Sequence, residues 1–207
     1  MFGFRLSFAS LLGFALGALI AASAGCGGAP STSAATRTTI TVETLYPMAE
    51  GSAWSFDVDT GVSNAPPTLA ITRVVSARGA LFELSNNGSE PVRYELREQG
   101  LFRPGSGTWL LRKPIETGAS WASTSGMVAE VASMGVRVTT PAGTFEDCVL
   151  IEERGEDSTR RIATTYCPGV GPVRVLSSMS TRFRGTHTEV TAVLRGYAVS
   201  PEAAPPE

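Results

Sequence analysis

The sequence predicts an all-β domain, an antiparallel meander forming a closed or half-open barrel, and three observations predict it. Short segments alternate apolar and polar residues with a period of two. Gly, Pro and Asn clusters punctuate them at short, regular intervals. Outside the first 25 residues no window holds a helical period with caps at both ends. A β-sandwich is the alternative architecture.

Taken in order, residues 54–58, 68–76 and 81–84 alternate as half-buried strands do. Asn86-Asn87-Gly88-Ser89 is a hairpin signal, because Asn and Gly tolerate the positive φ of a tight turn. It leads into residues 92–97, where Val92, Tyr94 and Leu96 fall on one face and Arg93, Glu95 and Arg97 on the other. Gln99-Gly100 turns the chain again. Further strands are expected over residues 127–131, 136–140, 145–154, 159–166, 173–179 and 188–199. Turns are expected at Pro141-Ala142-Gly143, Gly155-Glu156-Asp157-Ser158, Pro168-Gly169 and Arg184-Gly185. The layout leaves room for a short helix over one open end.

A leader precedes this domain. One positive charge, Arg5, is followed by an apolar run from Leu6 to Ala22, and Ser23-Ala24-Gly25 then leads into Cys26. That is a secretory signal, and its cleavage site resembles the lipobox of bacterial lipoproteins. The resemblance implies that residues 1–25 are removed and that Cys26 carries acyl chains, palmitate-like in chemistry, which hold the protein on a membrane. One chain anchors marginally and two or more anchor stably, at about 0.8 kcal/mol per buried methylene. Gly27, rather than Asp, follows the cysteine; by the sorting pattern of Gram-negative lipoproteins this implies the periplasmic face of the outer membrane. An ordinary signal peptide cut near Ala24, leaving a free Cys26, is the other reading. A transmembrane anchor fits less well, since the run is short and rich in Gly, Ala and Ser.

The organisation expected is therefore a signal peptide over 1–25, a lipidated flexible tether over 26–39, a single β domain over 40–199 and a disordered tail over 200–207. The tether lacks large apolar side chains and has nothing to bury. The chain carries 17 basic and 19 acidic residues, a net charge of −2. So weak a balance gives no electrostatic footprint for nucleic acid. With Cys26 lipidated, Cys148 and Cys167 remain, an even number in a disulfide-permissive compartment. Pairing the flanking strands with indices summing to 315 puts Cys148 opposite Cys167, Val149 opposite Tyr166 and Ile151 opposite Thr164. One face is then apolar, with Ile162 further along it, and the other carries a structural disulfide. Redox activity would want a Cys-x-x-Cys spacing, which is missing.

Pro47, Gly51 and Trp54 are echoed by Pro114, Gly118 and Trp121 in the spacing Pro-x-x-x-Gly-x-x-Trp. Each reads as a turn feeding a strand whose first ring enters the core. The halves share little else in sequence, so the echo reads as two similar corners rather than a duplication. Tyr46-Pro47 with Gly51 and Trp54, then Val136 to Phe145 with Cys148, then Tyr166-Cys167-Pro168-Gly169-Val170-Gly171 and Val173, resemble a group of uncharacterised bacterial exported proteins, many of them lipoproteins. That group shares the Trp corner, a Pro-Ala-Gly-x-Phe turn and a Tyr-x-x-Gly-Val-Gly turn. The resemblance implies a fold and a location, and no agreed activity. A looser architectural likeness is to half-barrel carriers that shuttle lipoproteins or lipids across the periplasm.

Recognisable catalytic chemistry is missing from the sequence. His187 is the single histidine, on a face with Glu189, and reads as a solvated pair. There is no Gly-x-Ser-x-Gly elbow and no His-Glu-x-x-His. Glu152 and Glu153 are adjacent, point to opposite faces of a strand, and read as surface groups paired with Arg160-Arg161. Asp57 and Asp59 share a face without the ligand series of a calcium loop. No enzyme activity, cofactor or metal is expected. Two readings remain: an envelope lipoprotein acting through its surface as scaffold or accessory to a protein partner, or a carrier or sensor of a lipophilic ligand in a half-barrel cavity. A scaffold should close its core with Trp54, Phe56, Tyr94, Trp121, Val149 and Ile151, whereas a carrier should leave a cavity.

Overall fold

A computed structural model describes residues 39–155, 159–180 and 187–201. The leader, Cys26 and nearly all of its tether, the turn residues 156–158 and 184–185, and the tail after 201 lie outside the described residues.

Alternating strands dominate, as expected. They are β1 (Ala53–Asp59), β2 (Thr68–Arg78), β3 (Leu81–Asn86), β4 (Val92–Arg97), β5 (Gly100–Arg103), β6 (Thr108–Arg112), β7 (Ser120–Ala122), β8 (Met127–Thr140), β9 (Gly143–Gly155), β10 (Arg160–Cys167), β11 (Gly171–Ser180) and β12 (His187–Ala198). All belong to one antiparallel sheet in the order β6-β5-β4-β3-β2-β1-β12-β11-β10-β9-β8-β7. Pairing β1 with β12 brings the two ends of the meander together. The sheet is nearly closed into a barrel, and its one seam lies between β6 and β7, consecutive strands that are not paired.

Two details differ from the sequence reading. β5 and β6 were not anticipated, being five residues or fewer and without alternation, whereas β7 is the strand expected at the Trp121 corner, only three residues long. The segments 127–131 and 136–140 are one strand, β8, rather than two. Its pairing with β9 slips after Val131, after Ser133 and again after Val136. Such bulges bend a strand without ending it. The bent β8–β9 hairpin reaches past β10 and β11 to β12: the Ala142 amide bonds the Leu194 carbonyl at 3.2 Å, and Phe145 meets Tyr197 edge-on at 6.0 Å.

A short helix, α1 (Val42–Leu45), precedes β1. Thr41 and Thr44 cap it reciprocally: the Thr44 amide donates to Thr41 Oγ1 at 3.1 Å, and the Thr41 amide donates to Thr44 Oγ1 at 2.8 Å. Val42 and Leu45 are buried. The Gly169 amide bonds the Thr44 carbonyl at 2.7 Å, and Lys113 Nζ lies 3.2 Å from Glu43 Oε1. So α1 rests on the β10–β11 turn, tied to the β6–β7 connection.

The two tryptophan corners match beyond their spacing. The Gly51 amide bonds the Val74 carbonyl at 3.0 Å, and the Gly118 amide bonds the Val131 carbonyl at 2.9 Å. Val74 and Val131 return bonds to the carbonyls of Ser52 and Ala119, each at 2.9 Å. In both copies the glycine has positive φ, 85° and 87°. In both, the register of the next strand slips one residue past that valine, at Val75 in β2 and at Ala132 in β8. Each corner opens a run of six strands, β1–β6 and β7–β12. The echo therefore extends into the strands, against the sequence reading of two isolated corners. Backbone bonds and bulges ask little of side-chain identity, so the likeness leaves little trace in the residues.

Candidate functional site in the barrel interior

The register of the sheet decides which side chains face inward. Phe56, buried in the core, pairs with Leu194 and Ala70. Pairing carries the same face through Val131, Ile151, Thr164, Val175, Ala192, Val58 and Thr68, a row crossing seven strands from β8 to β2. The next row runs Trp121, Ala129, Glu153, Ile162, Ser177 and Val190, from β7 to β12. Along both rows burial falls in the same direction. Trp121, Ala129, Val131 and Ile151 are buried, whereas Ile162, Val175, Ser177, Val190, Ala192 and Val58 are half-buried. Solvent thus reaches the inner wall on the β10–β11–β12–β1 side.

Aromatic rings fill the inside near α1. Tyr46 packs edge-on against Trp54 at 5.2 Å and lies 6.0 Å from Tyr166. Trp54 Nε1 donates to the Val170 carbonyl at 2.5 Å. Burial pushes the phenols of Tyr46, Tyr94 and Tyr166 up; for Tyr166 the neighbouring Tyr46, Glu153 and Tyr94 add to it. Tyr94 comes from β4 and packs against the same buried cluster. Arg103 lies 5.9 Å from the Tyr94 ring. At the seam, Trp121 Nε1 donates to the Trp109 carbonyl at 3.2 Å, the one direct bond joining β7 to β6 among the described residues.

Glu152 and Glu153 do point to opposite faces, and neither is open surface: Glu152 is 7% exposed and Glu153 is half-buried. Outside, Glu152 takes hydrogen bonds from Arg154 and Arg161. Burial alone would raise its pKa, and these two guanidinium groups more than reverse that, leaving it lowered. Glu153 instead faces inward and accepts a hydrogen bond from the Ser123 hydroxyl. Its pKa is raised by burial, against the pull of that bond. Reading Glu153 as solvated surface is thus corrected. The signal was already in the sequence: the pairing that sets Ile151 opposite Thr164 sets Glu153 opposite Ile162, on the apolar face.

Cys148 and Cys167 are bonded, with Cα atoms 4.2 Å apart, at the root of the β8–β9 extension. Val149–Tyr166 and Ile151–Thr164 pair as the sequence requires. The cysteine face is not open, however: both cysteines are buried, as are Ala163 and Thr165. His187 pairs with Glu189 at 3.7 Å and contacts Ser180 Oγ at 3.2 Å, all exposed. Asp57 pairs with Arg195 at 3.1 Å, and Asp59 Oδ1 accepts from the Gly61 amide at 2.8 Å. Each aspartate is thus engaged locally. Among the described residues no group of three His, Cys, Asp or Glu side chains is placed to hold a metal ion.

No family model and no curated protein matches this sequence. Among solved structures, a "putative lipoprotein" from Parabacteroides distasonis aligns at 16% identity over 75% of this chain and 98% of that one, with a TM-score of 0.40. A "putative exported protein with YmcC-like fold" from Bacteroides fragilis aligns at 13% identity over 74% of this chain and 98% of that one, with a TM-score of 0.37.

Proposed function

We propose that this protein is a non-enzymatic lipoprotein of the bacterial cell envelope, exported and held on the periplasmic face of the outer membrane through Cys26. The observation that carries the reading is an apolar leader ending in Ala24-Gly25-Cys26 ahead of a disulfide-bonded barrel. The first supplies export and an anchor; the second is a bond that persists only in oxidising compartments. The folded domain then acts through its surface, as scaffold or accessory to another envelope component. In support, Trp54, Phe56, Trp121, Val149 and Ile151 are buried in one cluster, with Tyr94 packed against it. Mass spectrometry of the membrane fraction tests the anchor. The mature N-terminus is expected to be an acylated Cys26, and Cys26→Ser is expected to release the chain from the membrane. An unmodified N-terminus near Ala24 in a soluble periplasmic fraction would overturn the anchor.

A second reading is favoured by one specific observation, the half-buried inner wall formed by Ile162, Val175, Val190 and Ala192. Apolar side chains that point inward and still meet solvent are the setting for a lipophilic ligand. Native mass spectrometry of the exported Cys26→Ser chain, with lipid extraction, separates the two readings. A reproducible extractable mass supports a carrier or sensor. A bare polypeptide leaves surface action as the better account.

A further inference from the structure

Inside the barrel one carboxyl group has no structural counterpart. Glu153 projects from β9 onto the inner face, between Ala129 and Ile162. Among the described residues its hydrogen-bond partner is the Ser123 hydroxyl, and no arginine or lysine pairs with it. Its sequence neighbour Glu152 takes both nearby guanidinium groups on the outside. A half-buried carboxyl still gains from hydrogen bonds or an opposite charge, and one hydroxyl meets only part of that demand. Beside it, the row continues through Ile162, Ser177 and Val190, half-buried and apolar but for the serine. A polar anchor at the edge of an accessible apolar wall matches a molecule with one donating end and one hydrocarbon end. Ser123 also follows directly on β7, the strand at the seam, where the Trp121 indole bonds the Trp109 carbonyl.

We propose that Glu153 and Ser123 form the polar end of an internal binding site for a single-chain amphiphile with a primary-amine headgroup. The proposal rests on the carrier reading and deepens it. An ammonium group would supply the missing opposite charge and donate to both the carboxylate and the hydroxyl, while its chain lies along Ile162, Val190 and Ala192. The same carboxylate repels an anionic headgroup, so selectivity against fatty acids is built in. A neutral alcohol would gain the wall but not the charge.

The test is a tryptophan-fluorescence titration of the exported full chain carrying Cys26→Ser, with dodecylamine, dodecanol and dodecanoate below their aggregation limits. Dodecylamine is expected to bind at least tenfold more tightly than dodecanol, with dodecanoate weakest. Glu153→Gln should bring dodecylamine down to the dodecanol level and leave dodecanol unchanged. Ile162→Lys places an ammonium directly opposite Glu153 and should abolish the amine preference as well, so the proposal stays testable if Glu153→Gln folds poorly. Glu189→Gln, on the exposed surface, should change nothing. Equal binding of all three probes would overturn the headgroup site while leaving a carrier standing. Binding of none would overturn both. An amine preference that survives Glu153→Gln and Ile162→Lys would also overturn the proposal.

Discussion

Glu152 and Glu153 differ by one peptide bond and by the sign of their coupling to pH. The pKa of Glu152 is lowered from its ordinary 4.5. The unfolded chain therefore takes up this proton first as pH falls, so the stabilisation is complete above the ordinary value and lost as pH drops through the folded one. Glu153 is raised from 4.5, so its charged form is disfavoured in the fold, and stability is lost as pH climbs from 4.5 through the folded value. Urea midpoints at pH 3 and pH 7 should show the contrast. Glu152→Gln is expected to cost about 1–3 kcal/mol at pH 7, nearer the low end because both arginines are half in solvent, and less at pH 3. Glu153→Gln is expected to stabilise at pH 7 and to be neutral at pH 3. A matching sign at pH 7 for the two variants would refute this division of environments.

At the scale of elements, strand existence was legible wherever alternation ran for four residues or more, and the β9–β10 register was legible to the residue. The cysteines and the Val149–Tyr166 and Ile151–Thr164 pairs fall where a period of two puts them. β5 and β6 were not legible, because Leu101-Phe102 and Trp109-Leu110-Leu111 set apolar residues side by side and show no alternation, and β7 was legible only from its Trp121 corner. The site was legible only by half. Alternation separates Glu152 from Glu153, but which face is covered depends on the closing of β1 on β12, a contact between distant segments. The corner glycines give a test of the backbone argument. Gly51 and Gly118 have φ of 85° and 87°, and no atom lies within 4 Å of where a Cβ would stand. Replacing either by Ala therefore costs only the left-handed backbone, about 1–2 kcal/mol, and the two losses should agree. At Gly171 a Cβ would meet Trp54 Nε1 at 2.9 Å, with φ at 103°. Gly171→Ala should cost more than either, read as the shift of the thermal midpoint. Equal losses at all three would mean that the Trp54 indole yields freely.

At the scale of the whole molecule, two runs of six strands meet at two junctions, and the junctions are unequal. Between β12 and β1 the backbones pair from Ala53–Ala198 to Asp59–Thr191. Between β6 and β7 the backbones do not pair. There the Trp121 indole bonds the Trp109 carbonyl, while the Trp54 indole, its counterpart at the other corner, bonds Val170 in the turn between β10 and β11. Equivalent residues thus do different work: Trp54 secures a corner whose strand is already paired, and Trp121 bridges a gap. A barrel closed by backbone at one junction and by a side chain at the other should open first at the second, since local opening follows the weakest set of bonds. Native-state hydrogen exchange is expected to find the amides of β6 and β7 less protected than those of β1 and β12. Trp121→Phe keeps an aromatic six-membered ring but removes the donor and the pyrrole half of the indole, so it should speed exchange in β6 and β7 and leave β1 and β12 unchanged. Trp54→Phe should instead lower global stability by about 1–3 kcal/mol, because it strands a buried carbonyl. If Trp121→Phe left protection at the seam unchanged, or lowered protection evenly around the sheet, the seam would be no weaker than the paired junction.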